Sequence, residues 1–298
     1  MRVNKLYSGL IIAILLNGPV VQASAVSSLS VATGAPNGTY STMFREMGKV
    51  CANTSFLKEK GTTGSLENID LILGNQASLA FVQLDVLKAK EKIEKDPNVA
   101  NVKTLFRLHD EEVHIFSLAN ATKGSLLKKT PIKSYNDLAG TTVGTIGGSY
   151  VTAQVLSAYT GVKYNVIQFK TFSDLVSAIQ SGKVMGGIAV GGSPYAPISA
   201  LPAGKFILQQ IPESSRSKLA SLYSPAKVNY PNLGGSVSTV SIPSVLVTRD
   251  FKTADKKQLL LSYAKCVKSK LVTLQETEGY HPKWNNISNQ AVSWPYYK

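Results

Sequence analysis

The sequence predicts an α/β fold with mostly parallel sheets, and three observations predict it. Short apolar runs alternate along the chain with stretches of helical spacing. Gly-rich turns recur where an apolar run gives way to a helix. The composition (298 residues, 44% apolar, 17% charged, two Cys) excludes a disordered chain and a disulfide-stapled mini-protein. Length alone suggests about two domains.

Taken in order, Arg2 and Lys5 precede an apolar run, Leu6 to Leu16, and then Pro19 and small residues. Val21-Gln22-Ala23 or Ala23-Ser24-Ala25 supplies a cleavage site, so residues 1–25 read as a secretory signal peptide, too short in its apolar run to span a bilayer. Leu29 to Ala32 reads as a strand, Thr33 to Thr39 as a loop, and Tyr40 to Cys51 as a helix spaced by Met43, Met47 and Val50. Leu66 to Leu73 is a helix after the turn Gly61 to Ser65, Leu79 to Val82 a buried strand, and Asp85 to Lys95 a helix with a wet Lys/Glu face. Val113 to Leu118 is a further strand, with His109-Asp110-Glu111-Glu112 before it read as a solvated turn.

A second series opens near Ser134, with strand Thr142 to Ile146, turn Gly147 to Ser149 and helix Tyr150 to Tyr159. Strand Val166 to Phe169, helix Phe172 to Ser181 closed by Gly182, and strand Gly187 to Val190 follow. The stretch Pro225 to Ser238 reads as turn-rich, Thr239 to Thr248 as a strand and Ala254 to Glu276 as one long amphipathic helix.

The two series share an echo. Gly38-Thr39-Tyr40 and Gly148-Ser149-Tyr150 each join a short strand to a helix, aiming backbone N–H groups and a positive helix end at one point. Two such junctions suggest two lobes facing one cleft, since ligands of open α/β sheets lie outside the carboxyl ends of strands.

The formal charge is +14, and loss of residues 1–25 removes two positive and no negative charges, leaving +12. The surplus consists of 27 Lys against 5 Arg, dispersed as in Lys88, Lys90, Lys92 and Lys95 among Glu91 and Glu94. That is a solvated helix face, without the Arg and interleaved aromatics of a nucleic-acid binder. A patch for anionic envelope polymers, or a sensory or host-facing role, is the alternative. The His109 to His114 segment lacks the spacing of a helical zinc face. The chain also has no nucleophile elbow, Walker loop or Cys-x-x-Cys, so no enzyme, metal or cofactor is expected. After export, Cys51 and Cys266 either form one disulfide or remain two buried thiols.

Several motifs carry a resemblance to a family. Thr33 to Tyr40, Thr63 to Asn68 and Leu79 to Asp85 occur in order, followed by Asp137 to Gly140, Gly147 to Leu156, Ile179 to Gly187, Gly191 to Pro197, Tyr230-Pro231 and Val237 to Val247. Together they resemble the TAXI-type extracytoplasmic solute-binding proteins associated with TRAP transporters. The resemblance implies a type II periplasmic-binding-protein fold, two α/β lobes with a ligand cleft between them. Residues 26–117 and 240–298 would form lobe I and 118–239 lobe II, with crossings near 115–120 and 236–246. This division puts Cys51 and Cys266 in one lobe, which supports their pairing.

It further implies a monomeric periplasmic receptor for a small anionic or zwitterionic solute, an amino acid such as glutamate or glutamine or a dicarboxylate, delivered to the permease subunits of a TRAP-type transporter. By the same resemblance Asn37, Thr39, Tyr40, Ser65, Asn68 and Gln83 line the cleft from one lobe, and Gly148, Ser149, Tyr150 and Ser193 from the other. Arg107 is a candidate for a charge-assisted pair with an acidic ligand. Thr39, Ser65 and Ser149 also stand where helix N-caps belong.

Overall fold

The structure, a computed structural model, describes residues 28–52, 54–125, 128–287 and 290–298; the expected signal peptide, 1–25, lies outside them. The first series runs β1 (Leu29–Ala32), α1 (Thr39–Val50), β2 (Leu57–Lys60), α2 (Ser65–Leu73), β3 (Leu79–Gln83), α3 (Leu84–Lys92) and β4 (Val102–Leu118). A small ribbon, β5 (Thr122–Ser125) and β6 (Lys128–Pro131), leads to β7 (Thr142–Ile146), α4 (Ser149–Thr160), β8 (Asn165–Phe169), α5 (Phe172–Gln180) and β9 (Gly186–Gly191). Then come α6 (Ala196–Ser199), β10 (Phe206–Leu208), α7 (Glu213–Leu219), β11 (Ser224–Tyr230), β12 (Gly235–Arg249), α8 (Ala254–Ser269) and α9 (Leu271–Glu276).

The main sheet has the order β2-β1-β3-β12-β4-β9-β7-β8, with β10 paired to β4 and β11 to β12. Each end is parallel, β2-β1-β3 on one side and β9-β7-β8 on the other. Two long antiparallel strands join them. β4 pairs with β12 from Val102 to Glu112 and with β9 from Glu112 to Ser117. β12 pairs with β11 up to Ser241 and with β3 from Ser244 onward. Both strands therefore change partners at the middle of the sheet, which gives one lobe on each side and a seam between them.

Each lobe has a core of its own, and a larger apolar cluster runs across the seam, joining Ile69, Val82 and Val86 to Val143, Leu156 and Ile188. In α1, Tyr40, Met43 and Met47 share one helical face and pack with Phe81, Leu246, Leu260 and Trp284. In α5, Leu175, Ala178 and Ile179 do the same against Phe116, Ile198 and Phe206. Thr171 starts α5, accepting from Asp174 N at 3.1 Å, and Gly182 at φ +74° ends it. Leu175→Ala would cost about 2–5 kcal/mol, since that side chain is fully buried. Cys51 and Cys266 are disulfide-bonded, with Cα atoms 6.0 Å apart, which ties the end of α1 to α8.

Three expectations need correction. The strand expected at Val113 to Leu118 begins eleven residues earlier, at Val102, and the presumed turn His109 to Glu112 lies inside it. His109 and His114 are fully buried there, and Glu111 is 4% exposed. Buried on both faces, β4 has no polar/apolar alternation to reveal it. The stretch 225–238 is mostly strand: β11, a 3₁₀ turn at Pro231–Leu233, then β12. Its Pro225 is tolerated because β11 pairs with β12 alone. The helix expected from Ala254 to Glu276 breaks at Lys270, which caps α8 and starts α9.

Candidate functional site

Three helices, α1, α2 and α4, begin at one cavity of about 110 Å³ at the seam. Their N-caps are Gly38, Gly64 and Gly148, and none receives a side-chain capping hydrogen bond. Thr39, Ser65 and Ser149 are thus first helical residues, not caps. Without capping side chains, the first-turn N–H groups of α1 and α2 and the positive helix ends are left for whatever fills the cavity, whereas in α4 Tyr150 N and Val151 N already donate to Gly147 O at 3.2 Å and Gly148 O at 3.0 Å.

The hydroxyls here brace the frame. Ser65 Oγ accepts from Gln83 N at 3.1 Å and lies 3.4 Å from Tyr40 OH. Ser149 Oγ accepts from Val190 N at 3.0 Å, fastening the start of α4 to β9. Tyr40 OH donates to Glu111 Oε2 at 2.8 Å. Burial, and then the Glu111 carboxylate, hold the Tyr40 hydroxyl well above the usual phenol range, so it stays a donor. Tyr195, also at the cavity, is raised by burial and then by Glu111. Gln83 Oε1 is buried at the cavity with no hydrogen-bond partner among the described residues.

Of the residues picked from sequence, Thr39, Tyr40, Ser65, Gln83, Gly148 and Ser149 come together around the cavity. Asn68 stands behind it: its Nδ2 donates to Thr33 O and Phe81 O, both at 2.7 Å, and its Oδ1 accepts from Thr62 Oγ1 at 2.6 Å. It pins the two loops that shape the site. Asn37 is exposed on the loop before α1. Tyr150 packs on the core and borders an outer groove with Gln154 and Tyr164. Ser193 N donates to Glu112 Oε2 at 2.7 Å, on the other face of β4 from Glu111. Arg107 sits elsewhere, buried against Asp110 and bordering a cavity with Trp284 and Tyr296.

Sequence reasoning missed Glu111, Tyr195, Thr63 and Gly191 at the cavity. For Glu111 the sequence carries no signal, because the charged run His109 to Glu112 lies in a strand buried on both faces. Tyr195 follows the Gly191 to Pro194 turn after β9, the same strand-to-turn position as the other site loops.

The lobes touch across the seam. A Cβ on Gly147, at φ +46°, would fall 2.1 Å from Thr63 O, and one on Gly148 would fall 2.4 Å from Gln83 Oε1. Only glycine lets these loops approach so closely. Deeper, Asp85 Oδ2 of α3 accepts from Thr152 Oγ1 at 2.7 Å and Tyr223 OH at 2.8 Å.

Among the described residues no cluster of His, Cys, Asp and Glu could hold a metal ion. Nor is any helix there long and apolar enough to cross a membrane.

The sequence profile of the NMT1-like family matches residues 31–278. No curated protein matches the chain. Among solved structures, the chain resembles the substrate binding protein of an amino acid ABC transporter at TM-score 0.52 and 11% identity, over 83% of this chain and 94% of that one. A ligand binding component of an ABC-type import system from Staphylococcus aureus, with zinc bound, is similar at TM-score 0.51 and 12% identity, over 89% and 80%. A protein from Archaeoglobus fulgidus aligns at TM-score 0.52 and 11% identity, over 88% and 83%. At these identities the likeness concerns the fold, which is that of the two-lobe periplasmic binding proteins.

Proposed function

The chain belongs to the NMT1-like family, and on that premise we propose that it is an exported receptor that captures a small carboxylate-bearing solute between its lobes for uptake. One observation carries the reading: three uncapped helix N-termini open on a single interlobe cavity. A carboxylate placed there accepts hydrogen bonds from the free first-turn N–H groups of α1 and α2 and lies at three positive helix ends, with no arginine required. Closure expels water and strengthens each contact. The protein performs no chemistry on the solute.

The resemblance to TAXI-type receptors supports delivery to the permease of a TRAP-type transporter, the protein acting as a periplasmic monomer. The neighbours named for ABC-type import support the coarser role of solute delivery. The lobe division proposed is 26–117 with 240–298 against 118–239.

A thermal-shift screen of the purified protein over amino acids, dicarboxylates and keto acids tests this. A solute at a hundred times its Kd adds about 2.7 kcal/mol to the folded state. For a chain of this size that is a rise of roughly 5–10 °C in Tm. If no carboxylate raises Tm, the reading fails.

A further inference from the structure

We propose that the captured solute carries a protonated amine as well as its carboxylate, and that Glu111 selects for that amine. The inference rests on the solute-capture reading above and narrows it from carboxylates in general to zwitterions.

The cavity has charge of two kinds. The helix N-termini supply a positive potential, but Glu111 brings a carboxylate, 4% exposed, into the same space. Its known support is one neutral hydrogen bond, from Tyr40 OH at 2.8 Å. Among the described residues, no lysine or arginine lines the cavity. Lys283 is taken by Glu112 on the opposite face of β4. His109 Nε2, buried and without a hydrogen-bond partner among the described residues, stands 3.6 Å from Glu111 Oε1, too far for a hydrogen bond though within ion-pair range for a protonated ring. A buried carboxylate with so little compensation is costly in a closed cleft, and a cation brought by the ligand offsets that cost.

A second, independent atom makes the same demand. Gln83 Oε1, on a side chain 3% exposed, borders the cavity as an acceptor without a donor among the described residues. Glu111 and Gln83 Oε1 both border the cavity as acceptors. An ammonium group can donate to each. A keto acid would present another acceptor to them, and a dicarboxylate a second negative charge. The volume sets a further limit: about 110 Å³ is less than the roughly 150 Å³ of an engineered cavity that takes up a benzene. That favours an amino acid with a short side chain.

The test is isothermal titration of matched probes, L-alanine against pyruvate and L-glutamate against 2-oxoglutarate, with succinate added, to the wild type and to Glu111→Gln. In the wild type the amino member of any pair that binds should be at least about tenfold tighter, with L-alanine favoured over L-glutamate. In Glu111→Gln, which keeps an acceptor for Tyr40, the amino member should weaken by about tenfold to a hundredfold while the oxo member holds or improves. Oxo acids or succinate binding the wild type as tightly as the amino acids would overturn the inference and leave solute capture standing. An unchanged amino-to-oxo ratio in Glu111→Gln, in a variant whose far-UV circular dichroism matches the wild type, would overturn the role of Glu111. If no probe binds the wild type, the capture reading falls and the inference with it. The wild-type comparison decides the matter even if the variant folds poorly.

Discussion

Thr152 Oγ1 donates to Asp85 Oδ2 at 2.7 Å, and this bond runs from α4 in one lobe to α3 in the other. Tyr223 OH joins it at 2.8 Å, so the carboxylate is a two-point tie across the seam. Burial raises the Asp85 pKa, more than the two hydroxyl donors lower it. An acid whose folded pKa lies above its unfolded value binds its proton more tightly in the folded protein. Its contribution to stability is therefore full below the unfolded value, near 3.8, and is lost as pH rises through the folded one. Asp85→Asn removes the titration. The stability of the variant relative to wild type should climb as pH rises from about 4 and then level off. Thermal melts at a series of pH values would show this, and a difference that does not vary with pH would refute the assignment.

At Gly147 the two lobes touch across the cleft. Gly147→Ala places a methyl 2.1 Å from Thr63 O and also strains a backbone at φ +46°. Gly161→Ala is the control, since Gly161 has φ +80° but nothing within 4 Å of its added methyl. Each variant should lose about 1–2 kcal/mol of stability to backbone strain, and Gly147→Ala more through its clash with Thr63 O. Only Gly147→Ala should also lose the Tm gain from solute and remain expanded in small-angle scattering. Equal solute responses in the two variants would show that the loops need not meet.

Much of this arrangement is legible in the sequence, for a physical reason. Strands such as β3 and β7 are short apolar runs, and Gly38 and Gly148 mark the strand-to-helix turns that bring α1 and α4 to the cavity. These are local signals, carried by residues next to one another. What is not legible depends on partners far along the chain. β4 is concealed because His109, Asp110, Glu111 and Glu112 fall where it passes from β12 to β9, and two of the acids there answer to residues remote in sequence. Glu111 meets Tyr40 and Glu112 meets Lys283. Arg107 looks like a free cation in sequence, yet it is spent on Asp110 three residues away. Asn68 is chosen for its amide, but only the fold shows that amide committed to Thr33 and Phe81.

The Cys51–Cys266 bond closes a loop of 215 residues and holds α8 on α1. Cross-links over long loops restrict the unfolded chain strongly, so Cys51→Ser with Cys266→Ser should cost about 2–5 kcal/mol. For this size of chain that lowers Tm by roughly 5–15 °C. Because the bond lies away from the cavity, solute affinity should stay within about threefold of wild type at temperatures where the variant is folded. Calorimetry with and without reductant checks the first part and titration the second. A variant as stable as wild type would mean the thiols are not bonded in the protein.

Lys283 and Glu112 form a buried ion pair behind the cavity, and Glu112 Oε2 also accepts from Ser193 N at 2.7 Å. One carboxylate thus ties the C-terminal segment to the turn after β9 through the strand that joins the lobes. Lys283→Met strands a buried negative charge and should cost about 3–5 kcal/mol. Adding Glu112→Gln removes that charge while keeping an acceptor for Ser193 N, so the double variant should regain most of the loss. Neutral replacement of a buried pair is often close to isoenergetic, because the desolvation of both ions is removed with their attraction. Urea denaturation of wild type, Lys283→Met and the double variant closes the comparison. If the double variant is no more stable than Lys283→Met, packing around the Lys283 side chain, rather than the pair, is what holds this joint together.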